Sequence, residues 1–128
     1  MEQCSRKKAL LTAFGCAVAY LLAGKLLALI LPAPQSGLAL LLKVCLAAPA
    51  VEELVFRGGI QRALQPLGRR EAIGLQAVLF AVQHGSAAGM LYALVCGLAL
   101  GWLADHTGHL WPGMLLHSVN NLLVFAAG

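Results

Sequence analysis

The apolar stretch from Ala9 to Leu31 is the strongest constraint on what this chain can fold into. Crossing a bilayer helically takes about 20 residues, and this stretch supplies them. It opens on Arg6, Lys7 and Lys8, as a secretory signal does. Its length exceeds the 7–15 apolar residues, roughly, of a signal peptide, so it reads as a retained first span. Lys25 interrupts it. A lysine there either snorkels to an interface or faces other helices, and the sequence leaves both open.

Composition extends this reading to the whole chain. Of 128 residues, 60% are hydrophobic and 11% charged, with a mean hydropathy of +0.82. Soluble domains are about half apolar and a quarter charged, so a soluble enzyme, a disordered tail and a coiled coil are excluded. At about 20 residues per crossing the chain has room for at most five or six spans. The net charge of +4 does not indicate nucleic acid, which needs a solvated basic face with stacking aromatics; aromatic content is only 6%. Instead Arg6, Lys7 and Lys8 precede the first span, and Arg57, Arg62, Arg69 and Arg70 gather around one connection. The loops near 32–37 and 85–89 carry no Lys or Arg. This positive-inside pattern puts the N-terminus and the 67–70 turn in the cytoplasm. Cys4, Cys16, Cys45 and Cys96 show no C-x-x-C spacing and imply no disulfide framework.

The expected architecture is an all-α polytopic membrane bundle of about five helices, with residues 1–128 forming a single membrane domain. The first span, 9–31, ends in the turn-forming stretch Leu31-Pro-Ala-Pro-Gln-Ser-Gly37. A long second helix is expected over 38–65, with Gly58-Gly59 as a point of bending, and Pro66-Leu67-Gly68 stops it. Further helices are expected over 71–84, 88–104 and from 110 to the end. Trp102 and Trp111 flank the last connection as interfacial aromatics do. Ala93, Gly97 and Gly101 form a small-residue stripe that lets helix backbones approach closely.

Two adjacent carboxylates, Glu52 and Glu53, interrupt the second apolar run. Each charge at mid-bilayer costs about 2.5–3.5 kcal/mol on insertion scales, so a compensating partner is required. Arg57 stands four residues after Glu53, on the same helical face. Neighbouring helical residues diverge by about 100°, so Glu53 is expected to pair with Arg57, leaving Glu52 available as a base. Glu52 lies 16 residues before Gly68 and His84 16 after it; in a hairpin both sit about 24 Å along their helices, at one depth. His117 and Asn121, four apart, share a face of the last helix; Asn121 comes close to the depth of Glu52 and His117 falls somewhat short, a difference that helix tilt can absorb. A carboxylate with a histidine can activate water, and a histidine with an amide can stabilise an oxyanion. That set suits peptide-bond hydrolysis. Ser118 diverges from its neighbour His117, and no H-E-x-x-H zinc motif is present.

The segment Glu52-Glu53-Leu-Val-Phe-Arg57-Gly58 resembles the E-E-x-x-F-R-G signature of the CPBP family of intramembrane glutamic endopeptidases, which includes the type II CAAX prenyl proteases and bacteriocin-processing and self-immunity proteins. Phe80-Ala-Val-Gln-His84 is similar to the family's F-x-x-x-H, and His117-Ser-Val-Asn-Asn121 to its H-x-x-x-N, in the family's order. The likeness covers about residues 40–127, the expected catalytic core. It implies that Glu52 and His84 activate water and that His117 and Asn121 form the oxyanion site. Glu53 and Arg57 would support Glu52, with Phe80 lining the pocket. The implied substrate is a membrane-anchored or lipid-modified peptide or protein, the implied location a prokaryotic cytoplasmic membrane, and no cofactor is implied. Small bacterial relatives include sorting-type peptidases of the myxosortase and JDVT-CTERM kinds, which process C-terminal anchoring segments.

Other readings use the same residues. Glu52, Glu53 and Arg57 also suit a buried structural ion network, and His117 with Asn121 a tie between helices. Zinc on His84, His117 and a glutamate is the metal-dependent version of the site. A membrane immunity or assembly factor would use the scaffold by binding alone. A small transporter fits least, since there is no second-half repeat. Asp105, His106 and His109 read as a polar turn, with a small metal site as the alternative.

Overall fold

The computed structural model describes residues 2–30 and 36–127. The turn expected over 31–35 lies outside them. Among the described residues all regular structure is helical and forms five helices, as composition and periodicity imply: α1 (Glu2–Ile30), α2 (37–67), α3 (Arg69–Ala81), α4 (Ala87–Thr107) and α5 (Trp111–Ala126). Two of these, within Gln3–Ile30 and Ala87–Thr107, are long and apolar enough to cross a membrane. At 1.5 Å per residue, α3 and α5 reach only about 20 and 24 Å, short of a hydrocarbon core about 30 Å thick.

Helix α2 is the irregular one. It runs as α-helix over Gly37–Leu42, widens to π-helix at Lys43–Ala47, returns to α over Ala48–Glu53, and widens again at Leu54–Gln61. The first widening has a local cause. Pro49 lacks an N–H and its ring clashes with the carbonyl four residues back, so the preceding turn opens to i→i+5 bonding, with the Ala48 N–H on the Lys43 carbonyl. The second contains Gly58-Gly59, where sequence alone points to a bend. A four-residue spacing drifts by about 40° per step in a regular α-helix. The wider turns take up that drift and keep Glu53, Arg57 and Gln61 on one buried face. A 3-10 turn, Gln65–Leu67, and Gly68 at φ 123° end α2 where Pro66-Leu67-Gly68 predicts a stop.

The bundle has apolar side chains outside and polar ones within. Leu11, Phe14, Leu22, Leu29, Leu91, Val95, Leu115 and Leu123 are exposed, while Glu53, Arg57, Gln61, Gln76 and His117 are buried. An apolar exterior of this extent suits lipid rather than water. Helices in lipid gain little by hiding apolar surface from one another, so they associate through close packing of small residues and internal hydrogen bonds. Two stripes do this. Ala9, Ala13 and Ala17 form the buried face of α1, and Ala93, Gly97 and Gly101 form that of α4. The start of α1 packs on residues 62–67, which brings Arg6–Lys8 and the exposed Arg62, Arg69 and Arg70 to one end of the bundle. Arg57 departs from the basic cluster read from sequence: it is 1% exposed and belongs to the interior. Lys25 lies on the exposed face of α1.

Helix α3 starts two residues earlier than expected and stops at Ala81, so His84 occupies the connection rather than a helix end. The reason is the competing start of α4, where Ser86 caps the helix by accepting the Gly89 N–H at 3.1 Å. Helix α4 runs to Thr107, past its expected end at 104, so Asp105 and His106 lie in its last turn rather than in a polar connection; there Asp105 pairs with Arg69 and His106 stacks on Trp102.

The α3–α4 contact gives a direct test. A Cβ on Gly97 would lie 3.1 Å from both Cα and Cβ of Ala77. Gly97→Ala is expected to cost about 1–3 kcal/mol, as overpacking does. At Gly74 an added Cβ meets nothing within 4 Å, so Gly74→Ala should gain up to about 1 kcal/mol in helix propensity. Thermal unfolding in detergent measures both; equal shifts would contradict the packing described.

Candidate active site

The site is assembled around the carboxylate of Glu53. Arg57 Nη1 lies 3.0 Å from Glu53 Oε1, with both side chains fully buried. The pair is held by charge more than by alignment, because Nη1 lacks a partner at hydrogen-bond angles. Arg57 Nη2 donates to the Gly97 carbonyl at 3.4 Å, and the guanidinium carbon sits 4.7 Å from the centroid of Phe80. The Gly97 carbonyl also accepts from Gln76 Nε2 at 2.8 Å. One residue of the α4 small stripe thus holds the arginine in place as well as the helices.

Helix α5 closes the other side. A Cβ on Gly113 would stand 2.9 Å from Glu53 Oε2, so the backbone at 113 forms a notch for the carboxylate that any side chain would fill. One turn further on, the His117 Nδ1–H donates to Glu53 Oε1 at 3.0 Å. That bond leaves Nε2 facing Glu52, 3.6 Å from its Oε2. The Glu53 and Glu52 side chains therefore lie in different surroundings, 0% and 22% exposed. Glu52 Oε1 accepts a hydrogen bond from the Tyr20 hydroxyl of α1 at 3.3 Å. The pairing of Glu53 rather than Glu52 with Arg57 is the one read from the helical geometry of the sequence.

Phe80 is the hub of the aromatic part. Its ring packs edge-on against Phe56, His84 and His117, with centroids 5.2, 5.1 and 5.8 Å away. His84 makes no hydrogen bond to Glu52; its Nδ1 lies 3.2 Å from the Phe80 carbonyl. A carbonyl only accepts, so the hydrogen is on Nδ1 and Nε2 is left as the proton acceptor. The structure brings Glu52, Glu53, Arg57, His117 and Phe80 into direct contact and joins His84 to them through the Phe80 ring.

Asn121 is bound elsewhere. Its Nδ2 donates to the Val44 carbonyl at 3.0 Å. In the π register that carbonyl faces position 49, which is proline and has no N–H to offer. The asparagine amide supplies the missing donor. It carries two N–H groups, so one anchors the side chain and the second remains for another acceptor. Tyr20, Gln61, Gly113 and the Val44 carbonyl are absent from the sequence reading. The available signals were Pro49, and the Ala9, Ala13, Ala17 stripe that fixes which face of α1 approaches α2. Among the described residues, no three His, Cys, Asp or Glu side chains are grouped so as to hold a metal ion.

The Val44 arrangement predicts a coupling. Asn121→Ala should cost about 1 kcal/mol by loss of a net hydrogen bond, and clearly less in a Pro49→Ala background, where residue 49 regains an N–H. Unfolding of the two single variants and the double variant measures this; simple additivity would mean that the proline does not create the need.

The model of the type II CAAX prenyl endopeptidase Rce1-like family matches residues 34–123. No curated protein and no solved structure matches the chain significantly.

Proposed function

The chain belongs to the type II CAAX prenyl endopeptidase Rce1-like family, an integral membrane protease family, and from that premise we propose that it cleaves membrane-anchored or lipid-modified peptides with water activated by Glu52 and His84. The observation that supports this best is the unequal treatment of two adjacent glutamates. Glu53 is neutralised by Arg57 and held by His117, whereas Glu52 keeps an open edge. A base has to reach its proton, and only Glu52 can.

In this reading a water lies between Glu52 and the scissile carbonyl. Glu52 takes a proton as the oxygen bonds to the carbonyl carbon, with the Nε2 of His84 as the second acceptor nearby. The C–N bond then breaks, and the proton passes to the departing amine. His117 as an imidazolium, its Nδ1–H on Glu53 and its Nε2–H turned to the substrate, and the spare N–H of Asn121 stabilise the oxyanion. Preorganised donors of this kind contribute about 10²–10³ in kcat each. We assign no cofactor, since Glu52 and His84 can activate the water by themselves. We assign the N-terminus to the cytoplasm, a reading supported by the basic residues at one end of the bundle, and the protein to a prokaryotic cytoplasmic membrane. Processing of a C-terminal anchoring segment is the specific role we favour.

Purified protein in lipid should cleave a prenylated or membrane-anchored peptide, and Glu52→Ala should lower the rate by about 10²–10⁴, the usual contribution of a general base. Activity should survive chelators. Cleavage that persists in Glu52→Ala refutes the assigned base, and chelator-sensitive cleavage with bound zinc supports the metal reading instead. If Glu52→Ala protects or assembles a partner as well as the parent does, the protein is a binding factor.

A further inference from the structure

A second polar feature lies behind the Glu53–Arg57 pair. A cleft of about 170 Å³ opens where the end of α2 meets the α4–α5 connection, lined by Arg57, Gln61, Gln65, Ala104, Asp105 and Leu110 among others. Its outer wall is ordinary interfacial surface. Its inner wall is not: Arg57 and Gln61 are 1% and 3% exposed, yet both line it.

These inner residues carry unfilled hydrogen-bonding capacity. Arg57 Nε, Gln61 Oε1, Gln76 Oε1 and Glu53 Oε2 are buried with no partner. Leaving a buried polar group unsatisfied costs about 1–3 kcal/mol, and folded proteins meet that cost with ordered water where the site is polar and roomy enough. The four atoms belong to one connected layer. Gln61 Nε2 donates to the Gly101 carbonyl at 3.0 Å, and Gln76 and Arg57 share the Gly97 carbonyl one turn away. Glu53 joins the layer through Arg57. A second cavity, by contrast, is lined by Leu10, Phe14, Leu64 and other carbon-rich side chains.

Hydrolysis consumes one water per turnover, and a membrane-anchored substrate approaches the open edge of Glu52, covering the side through which solvent would arrive. We propose that the cleft beside Gln61 and Arg57 is the aqueous inlet of the site, a hydrated path that admits water from the interface to the rear of Glu53 while substrate covers Glu52. The inference rests on the peptidase reading for its purpose and on the buried polar layer for its existence. Gln61 and Gln76 then act as positioning residues for the path, through the helix carbonyls they bind.

The test separates existence from purpose. In nanodiscs, magnetisation transfer from water to the Arg57 guanidinium and Gln61 amide, read by solid-state NMR on the full chain, should be rapid. Ala104→Phe, which fills the cleft from α4, should suppress the transfer and lower kcat about tenfold with KM nearly unchanged, the pattern of a lost step after binding. Gln65→Trp, at the exposed mouth, should act in the same direction and serves if Ala104→Phe does not fold. No transfer to Arg57 in the parent overturns the inlet. Suppressed transfer with parental kcat overturns its role in supply. Rapid transfer, blocked by the plug, in a protein that cleaves nothing upholds the inlet and removes the peptidase reading alone.

Discussion

Most of this bundle follows from one constraint: Glu53 and Arg57 are oppositely charged partners whose side chains are fully buried. Isolated charges of this kind cost several kcal/mol each after relaxation, so every neighbour contributes to their compensation. The Gly97 carbonyl takes one guanidinium N–H, the Phe80 face covers the cation, Gly113 leaves room for the carboxylate, and His117 adds a donor. Removing either charge alone is expected to be severe, about 3–5 kcal/mol for a broken buried pair. In the proposed mechanism the same interaction selects the base, because a carboxylate committed to Arg57 is replaced in that role by its neighbour Glu52.

Small residues do the structural work around that pair. Helices immersed in lipid have little hydrophobic reason to associate, and here the stripes on α1 and α4 let backbones come near enough for side chains to reach across. Tyr20 arrives at Glu52 from the α1 stripe, and Arg57 and Gln76 arrive at Gly97 on the α4 stripe. Packing and site formation are thus one event. A protein organised in this way has its polar groups at the centre and its apolar surface outside.

Much of this was legible in the chain. Glu53 with Arg57, the phase difference between Glu52 and Glu53, and the stripe at Ala93, Gly97 and Gly101 all follow from helical periodicity, which is a local property. The depth count along the last helix favours Asn121 over His117 as the neighbour of Glu52, and the structure reverses this, with His117 at both glutamates and Asn121 on Val44. What periodicity could not carry was any departure from 3.6 residues per turn. The π segments of α2 arise from Pro49 and from packing around Gly58-Gly59, and they determine the anchoring of Asn121 on Val44. Arg57 was grouped with the basic turn because linear distance to the turn is short, whereas its charge is drawn inward by Glu53. His84 was placed on a helix that the Ser86 cap ends sooner. Tyr20 depends on which face of α1 meets α2, a tertiary fact with only the alanine stripe to signal it.

The central claim is that the two adjacent glutamates differ in kind, one structural and one chemical. Its most direct test compares isosteric Glu52→Gln and Glu53→Gln in the same lipid preparation, reading unfolding temperature and peptide cleavage together. The role split predicts that Glu52→Gln loses cleavage and keeps the parental unfolding temperature, while Glu53→Gln leaves Arg57 buried without a counter-charge and unfolds at a clearly lower one. Equal loss of stability in both variants, or parental stability in Glu53→Gln, would contradict it.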